Sequence, residues 1–272
     1  MIAFLILLII AVIYISFILP RLIDSPDMSS FLVDYAHRGL YNNDEGLPEN
    51  SLGAFQAAVD NRYGIELDIQ LSKDKIPMVF HDATLKRICG IDAKLSDHTC
   101  EELQQMKLLG TDYTIPTLKE VLELVDGRIP LLVEFKPGST ELCDIACPIL
   151  DEYNGMFCVE SFDPFIIKRI RDIRPRYARG QLVCNSMKSK STKSFFLNFS
   201  LTALLMHLLS RPDFVAYDVN MKYNFSVFLC KKLFRIPTFA WTVTSEEVYK
   251  KCRQSKSYTI FEDLKQIGRA HV

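Results

Sequence analysis

Polar residues are almost absent at the start of the chain. From Ile2 to Leu19 every residue is apolar or aromatic except Ser16, and the first charge is Arg21. Eighteen helical residues rise about 27 Å, close to the hydrocarbon thickness of a bilayer. Residues 1–20 therefore read as a single membrane-spanning anchor, followed by a short Asp/Ser/Pro linker over 21–32. A cleaved signal peptide would show Lys or Arg before the apolar run and a small-residue cleavage site after it, and the chain has neither.

Past the linker the pattern changes to short apolar, β-branched runs alternating with stretches of helical period. The runs cover 32–36, 64–69, 130–135, 157–160, 178–183, 214–217, 238–241 and 258–261, and predict eight parallel strands. Helices are expected between them. One covers 51–61, with Ser51 as N-cap; another covers 117–125, where Thr117 caps and Glu120 completes a capping box. A further run at 78–80 follows the second strand after Lys73-Asp74-Lys75. That connection is too short for a parallel crossover and predicts a hairpin. Residues 82–115 then read as an insertion before the second barrel helix. The stretch 33–266 has the length and alternation of an α/β fold, the TIM (β/α)8 barrel. The last six residues, Ile267-Gly268-Arg269-Ala270-His271-Val272, match the translation of a sequencing adapter and are expected to be an artefact.

Charge and composition narrow the function. Lys and Arg number 32 against 33 Asp and Glu, a net charge of −1, which lacks the basic excess of a nucleic-acid binder. With 49% hydrophobic and 24% charged residues, disorder is excluded. Cys89, Cys100, Cys143, Cys147, Cys158, Cys184, Cys230 and Cys252 form no C-x-x-C pair and read as small hydrophobes in a reducing compartment. Together with Arg21 on the C-terminal flank of the anchor, they suggest a catalytic domain facing the cytoplasm from the cell membrane. Between Lys168 and Lys193 nine basic residues face one acidic residue, Asp172, and an apolar stretch over 195–209 follows. That belt reads either as a contact with anionic lipid or as a solvated barrel helix followed by a core-facing one.

A barrel of this kind concentrates its chemistry at the C-terminal ends of its strands. His37 and Arg38 close the first strand, Glu66 and Asp68 lie on the second, Glu134 and Lys136 end the third, and Trp241 ends the seventh. Glu66 and Asp68 are two apart and share a face, where they repel unless a positive group joins them. Glu134 can supply a third carboxylate, a set that favours Mg2+ or Ca2+ over zinc; a barrel arginine paired with Glu66 is the alternative. Free histidine titrates near neutrality, so the pair His37 and His81 suits proton donation and acceptance. Arg38 offers a forked donor for a phosphate and Lys136 a second positive charge. Together these groups suit metal-assisted phosphoryl chemistry. Trp241, the single tryptophan, serves either as a wall for substrate or as core packing.

His37-Arg38-Gly39, Pro48-Glu49-Asn50-Ser51, Glu66-Leu67-Asp68, His81-Asp82, Glu134-Phe135-Lys136, Ser161-Phe162 and Trp241-Thr242-Val243 occur in that order. In this ordered set the chain resembles the glycerophosphodiester phosphodiesterase family over about 34–262. The resemblance implies a TIM barrel with an insertion after the second strand, and one divalent cation held by Glu66, Asp68 and Glu134. It also implies that His37 and His81 act as general acid and base and that Arg38 grips the phosphate, with Glu49 and Lys136 around it. The implied reaction hydrolyses a glycerophosphodiester to an alcohol and glycerol 3-phosphate. Two features depart from the family pattern: Thr244 stands where Asn often follows Trp-Thr-Val, and the final strand ends in the acidic Glu262-Asp263. Both bear on the pocket for the substrate's alcohol. The rivals are a lysophospholipase D-like enzyme acting on lysophospholipids of the adjacent bilayer, and a catalytically silent, membrane-tethered barrel.

Overall fold

The computed structural model describes residues 1–189, 192–221 and 223–264. Its strands are β1 (Tyr35–Ala36), β2 (Gly64–Leu71), β3 (Pro77–Val79), β4 (Leu131–Phe135), β5 (Phe157–Ser161), β6 (Arg179–Val183), β7 (Phe214–Asp218), β8 (Thr238–Val243) and β9 (Tyr258–Phe261). All but β3 pair in parallel in the order β1-β2-β4-β5-β6-β7-β8-β9, and β9 pairs again with β1, which closes an eight-stranded barrel. The remaining strand, β3, runs antiparallel to β2 with Ile69 opposite Val79, the hairpin expected from the short connection. The first strand is shorter than its apolar run. A 3-10 turn occupies Ser29–Phe31, and the Asp34 carboxylate accepts from Thr259 N and Oγ1, both at 3.0 Å, so strand pairing starts only at Tyr35.

The helices are α1 (Ile2–Ile18), α2 (Leu52–Asp60), α3 (Lys86–Cys89), α4 (Cys100–Leu103), α5 (Leu118–Val125), α6 (Glu141–Asp151), α7 (Pro164–Ile173), α8 (Ser186–Ser189), α9 (Phe195–Thr202), α10 (His207–Ser210), α11 (Phe225–Lys232) and α12 (Glu246–Gln254). Ser51 caps α2 by accepting from Ala54 N at 3.1 Å. At α5 the full reciprocal box forms: Thr117 Oγ1 accepts from Glu120 N at 3.2 Å, and Glu120 Oε2 accepts from Thr117 N at 2.8 Å. Each satisfies a helix-end amide that has no partner within the helix. Thr117→Ala is expected to destabilise the barrel by about 1 kcal/mol, read as a lowered midpoint in thermal unfolding.

Two apolar layers hold the sheet. Outward-facing Ile65, Leu67, Ile69, Val133 and Phe135 pack against the surrounding helices through Phe55, Val121 and Leu150. Inside the barrel Tyr35, Leu132, Cys158, Phe214 and Phe239 form a floor, with Phe214 and Phe239 edge to face at 5.1 Å. Gly180 makes room for it, since a Cβ there would meet the Phe214 ring at 2.0 Å. Because side chains two apart share a face, Glu134 sits one layer above Leu132, and Glu160 one layer above Cys158. The apolar floor thus sets polar residues at the C-terminal mouth. The segment 82–115 carries α3 and α4 around its own cluster, including Phe80, Leu85, Ile88, Leu103 and Leu108.

The C-terminal end of α1 docks on the barrel. Ile18 is fully buried. Tyr14 meets Ser226 Oγ at 2.7 Å and stacks on Phe225 with ring centroids 6.2 Å apart. Arg211 donates to Leu19 O at 2.8 Å. The earlier turns of α1 expose Ile2, Phe4, Leu7 and Val12. The helix has 17 residues, and among the described residues no helix is long and apolar enough to cross a membrane.

Part of the basic belt is paired with acids. Lys168 and Arg171 pair with Asp172, Arg169 with Asp144, and Arg174 with Asp151; Arg179 is buried. Its Lys190 and the adapter-like 267–272 lie outside the described residues. All eight cysteines are free, five of them buried.

Candidate active site

Strand register assembles the acidic cluster. Asp68 on β2 is level with Glu134 on β4, and Glu134 with Glu160 on β5. With strands about 4.8 Å apart, this places three carboxylates in one row, and Glu66 lies one layer below Asp68 on the same face. Glu66, Asp68 and Glu134 each present an oxygen within 4.8 Å of the others, and all are buried. His37 and Arg38 enter from the turn after β1, and His81 from the turn after β3. Arg38 adopts φ +55° and Gly39 φ +83°, a left-handed turn unusual for a side-chain-bearing residue. A Cβ at Gly39 would stand 2.9 Å from the Ala54 carbonyl carbon. The turn aims Arg38 N at Glu66 Oε2, 3.0 Å away.

His37, Arg38, Glu66, His81, Glu134 and Glu160 line a cavity of about 150 Å³ with Phe162, Leu182, Trp241, Thr242 and Ile260. A larger cavity of about 530 Å³, bordered by Lys119, Asp126, Glu152 and Tyr153, lies among the loops that lead into the strands. No histidine reaches it. The chemistry therefore belongs to the small cavity at the strand C-termini.

Each cation is already committed to acids. Lys136 Nζ lies 3.1 Å from Asp68 Oδ1 and 2.9 Å from Glu134 Oε1. Arg38 Nη1 donates to Glu49 Oε1 at 2.6 Å, and its Nε stands 3.6 Å from Asp68 Oδ2. Asn50 Nδ2 donates to Asp68 Oδ2 at 2.8 Å. Burial alone would raise the Asp68 carboxyl, but Lys136, His81, Arg38 and the Asn50 bond outweigh it and hold Asp68 well below the usual carboxylate range. Glu66 goes the other way: burial, then Asp68, Glu134 and Glu160, push it well up. Burial also raises Glu134, to about 7, against the pull of Lys136.

A divalent cation fits this set. Three buried carboxylates converge with oxygen donors only, and burial first, then their mutual repulsion, raises Glu66 and Glu134, a penalty on their charged forms that a cation would relieve.

Both imidazoles are braced by an acid. His37 Nδ1 lies 2.8 Å from Glu262 Oε2, which also accepts from Tyr41 Oη at 2.9 Å; His37 Nε2 is 4.0 Å from Glu66 Oε2. His81 Nδ1 lies 2.6 Å from Asp82 Oδ1. A carboxylate only accepts, so each Nδ1 carries the hydrogen and each Nε2 is left for other work. Burial foremost depresses His81, with Lys136 and Arg38 adding to it.

The structure brings together His37, His81, Arg38, Glu66, Asp68, Glu134 and Lys136, with Trp241 on the wall. Trp241 stands edge to face with Phe162 at 5.4 Å, and its buried indole nitrogen has no hydrogen-bond partner. Glu49 stands one step back: Arg87 clamps it with two bonds, at 2.7 and 2.8 Å, while also holding Asp82. Glu160 and Arg87 carried no role in the sequence analysis, and Glu262 was tied there to the alcohol pocket. Glu160, buried with Oε2 unpartnered and raised by burial and by Glu134, was foreshadowed by its position at the end of the fifth strand run. Glu262 braces His37 from the acidic ending of the last strand. Arg87 reaches in from the insertion, and no local pattern marks it.

A family model described as the glycerophosphoryl diester phosphodiesterase family matches residues 37–263. Among curated proteins, YhdW of Bacillus subtilis (strain 168), assigned by its name to the glycerophosphodiester phosphodiesterases, is 32% identical over 189 residues, covering 62% of this chain and 76% of that protein. A glycerophosphodiester phosphodiesterase of Caldanaerobacter subterraneus is 31% identical over 160 residues, and the chain spans 65% of its length. A phosphodiesterase of Oleispira antarctica, solved with the product sn-glycerol-3-phosphate, superposes with a TM-score of 0.71 at 24% identity, covering 86% of this chain and 94% of that one.

Proposed function

The chain belongs to the glycerophosphoryl diester phosphodiesterase family, a family of phosphoric diester hydrolases, and from that premise we propose that it splits glycerophosphodiesters into an alcohol and glycerol 3-phosphate. The observation that carries the reading is the gathering of three mutually close buried carboxylates, Glu66, Asp68 and Glu134, with two braced imidazoles and Arg38, and with Lys136 paired to Asp68 and Glu134.

In this reading Glu66, Asp68 and Glu134 hold one Mg2+ or Ca2+, which when bound supplies positive charge for the phosphate oxygens. Arg38 donates its fork to the phosphate, and Lys136 keeps Asp68 ionised while its second contact, to Glu134, holds that side chain turned inward. Charge building on the phosphate oxygens in the transition state thereby meets fixed positive charge. One imidazole takes a proton at Nε2 from the nucleophile, either water or the neighbouring glycerol hydroxyl. The other gives a proton from Nε2 to the leaving oxygen. Glu262 and Asp82 keep both rings turned, so neither must reorient before reaction. Phe162 and Trp241 supply the apolar wall of the same cavity.

Glu49 and Arg87 set how much of Arg38 is available. With Arg87 in place, Glu49 is neutralised from its far side and pulls less on Arg38. Arg87→Met is expected to raise KM roughly tenfold with a smaller change in kcat, in steady-state assays on glycerophosphocholine; a loss in kcat alone would discard this role.

The apolar α1 is the basis for a membrane attachment, with the barrel on the cytoplasmic side. Its exposed Ile2, Phe4, Leu7 and Val12 have no covering surface among the described residues. Full-length chain is expected to float with lipid vesicles, and chain lacking 1–20 to stay behind. The activity reading is tested by incubating the chain with glycerophosphocholine and Mg2+ or Ca2+. Release of glycerol 3-phosphate supports it, and none with either ion refutes it.

A further inference from the structure

We propose that Glu160 binds the terminal hydroxyl of the substrate's glycerol and so sets a preference for glycerol diesters over diesters of simpler alcohols. This rests on the phosphodiesterase reading for the reaction itself and concerns how the same site recognises a group remote from phosphorus. Glu160 lines the catalytic cavity with Phe162, Leu182 and Trp241. It is only 1% exposed, and its Oε2 has no hydrogen-bond partner. A buried polar atom left in that state costs stability and calls for an explanation.

The barrel itself does not supply the partner. The cations of the site are spent on other acids, Lys136 on Asp68 and Glu134 and Arg38 on Glu49. On the β4 side Glu160 is level with Glu134, another acid, and on the β6 side with Gly180, which has no side chain to offer. The layer beneath it is Cys158 of the apolar floor. Nor does Glu160 belong to the group that converges for an ion: Glu66, Asp68 and Glu134 lie within 4.8 Å of one another without it. The partner therefore comes with the substrate.

The surroundings of Glu160 select the kind of group. A cationic head group calls for an ionised carboxylate, and a further negative charge in this row is opposed by burial and by Glu134 and Asp68, which push Glu160 well up. A neutral carboxyl donates through its O–H and accepts through its C=O, and a hydroxyl, itself donor and acceptor, matches both. The same hydroxyl donates to an ionised carboxylate, so the contact forms in either state. Position agrees with chemistry. Strands lie about 4.8 Å apart, so Glu160 stands one strand beyond Glu134. With the phosphate held by Arg38 and the ion, the oxygen at the far end of glycerol is carried onward by the length of its carbon chain. The hydroxyl next to the phosphate stays within the circle of the imidazoles.

The test uses full-length chain with Mg2+ or Ca2+ and two substrates, glycerophosphocholine and 2-hydroxypropyl phosphocholine. The second keeps the head group and the hydroxyl next to the phosphate and lacks only the terminal one. Wild type is expected to favour glycerophosphocholine by roughly ten- to a hundredfold in kcat/KM. Glu160→Leu should lose that factor on glycerophosphocholine and change little on the analogue, so that the ratio approaches one. Glu160→Gln still donates and accepts at the same reach and should keep most of the ratio. Calorimetric Mn2+ affinity should stay at the wild-type value in both variants, which also reports an intact barrel. A wild type that turns over both substrates equally overturns the glycerol contact and leaves the phosphodiesterase reading standing. So does an equal loss on both substrates in Glu160→Leu, the sign of a contact to the head group, which both share, or, with weakened Mn2+ binding, to the ion. No turnover of either substrate by wild type with either ion defeats the phosphodiesterase reading, and the glycerol contact with it.

Discussion

His37→Ala is expected to lower kcat on glycerophosphocholine by about two to four orders of magnitude, with little change in thermal midpoint. The side chain sits at the cavity wall and its Nδ1 is spent on Glu262, so its removal takes away a proton carrier and leaves the barrel floor of Tyr35, Leu132, Phe214 and Phe239 untouched. Glu262 keeps Tyr41 as a donor and is not stranded. The KM should move far less than kcat, because Arg38 and Lys136 remain to bind phosphate. Glu262→Gln separates positioning from chemistry: it removes the charge that braces the ring and should cost roughly tenfold, with a shifted pH–rate profile. A His37→Ala variant that turns over at the wild-type rate would remove the imidazole from the mechanism.

Asp68→Asn is expected to reduce activity by at least about a hundredfold and to weaken divalent-ion binding. The substitution keeps the shape and the Asn50 contact but deletes the one carboxylate held firmly ionised by Lys136 and Arg38. Binding of the ion should also be linked to protons. Without an ion, Glu134 titrates near 7 because burial raises it. Below that pH the proton occupies a ligand oxygen and must leave when a cation binds; above it the carboxylate is already free. Affinity should therefore fall as pH drops from 8 to 6, with Glu134 contributing at most about tenfold per unit and the raised Glu66 adding to the same trend. Calorimetry in buffers of different ionisation enthalpy reads the proton release directly. A pH-independent affinity would contradict the assignment of Glu134.

The barrel was legible in the chain because each strand is a short apolar run and each connection has helical period, so residue pattern and topology agree. Placement of His37, Glu66, Asp68, Glu134 and Lys136 followed from the rule that strand C-termini carry the chemistry. What escaped depends on three-dimensional register or on distant partners. Glu160 becomes a site residue only when β4 and β5 pair with Glu134 level with it. Arg87 matters because the insertion folds its helix over Glu49, 38 positions away in sequence. For the basic belt over 168–193, the partners of Arg169 and Arg174, Asp144 and Asp151, come from α6 and are invisible in the local sequence.

The account stands on one cation shared by Glu66, Asp68 and Glu134. Anomalous diffraction from crystals soaked in Mn2+ tests it directly. The account predicts one strong peak among these three carboxylates, absent in Asp68→Asn. A fully active chain whose ion binds elsewhere, or whose three carboxylates stay protonated and ion-free at saturating Mn2+, would contradict it.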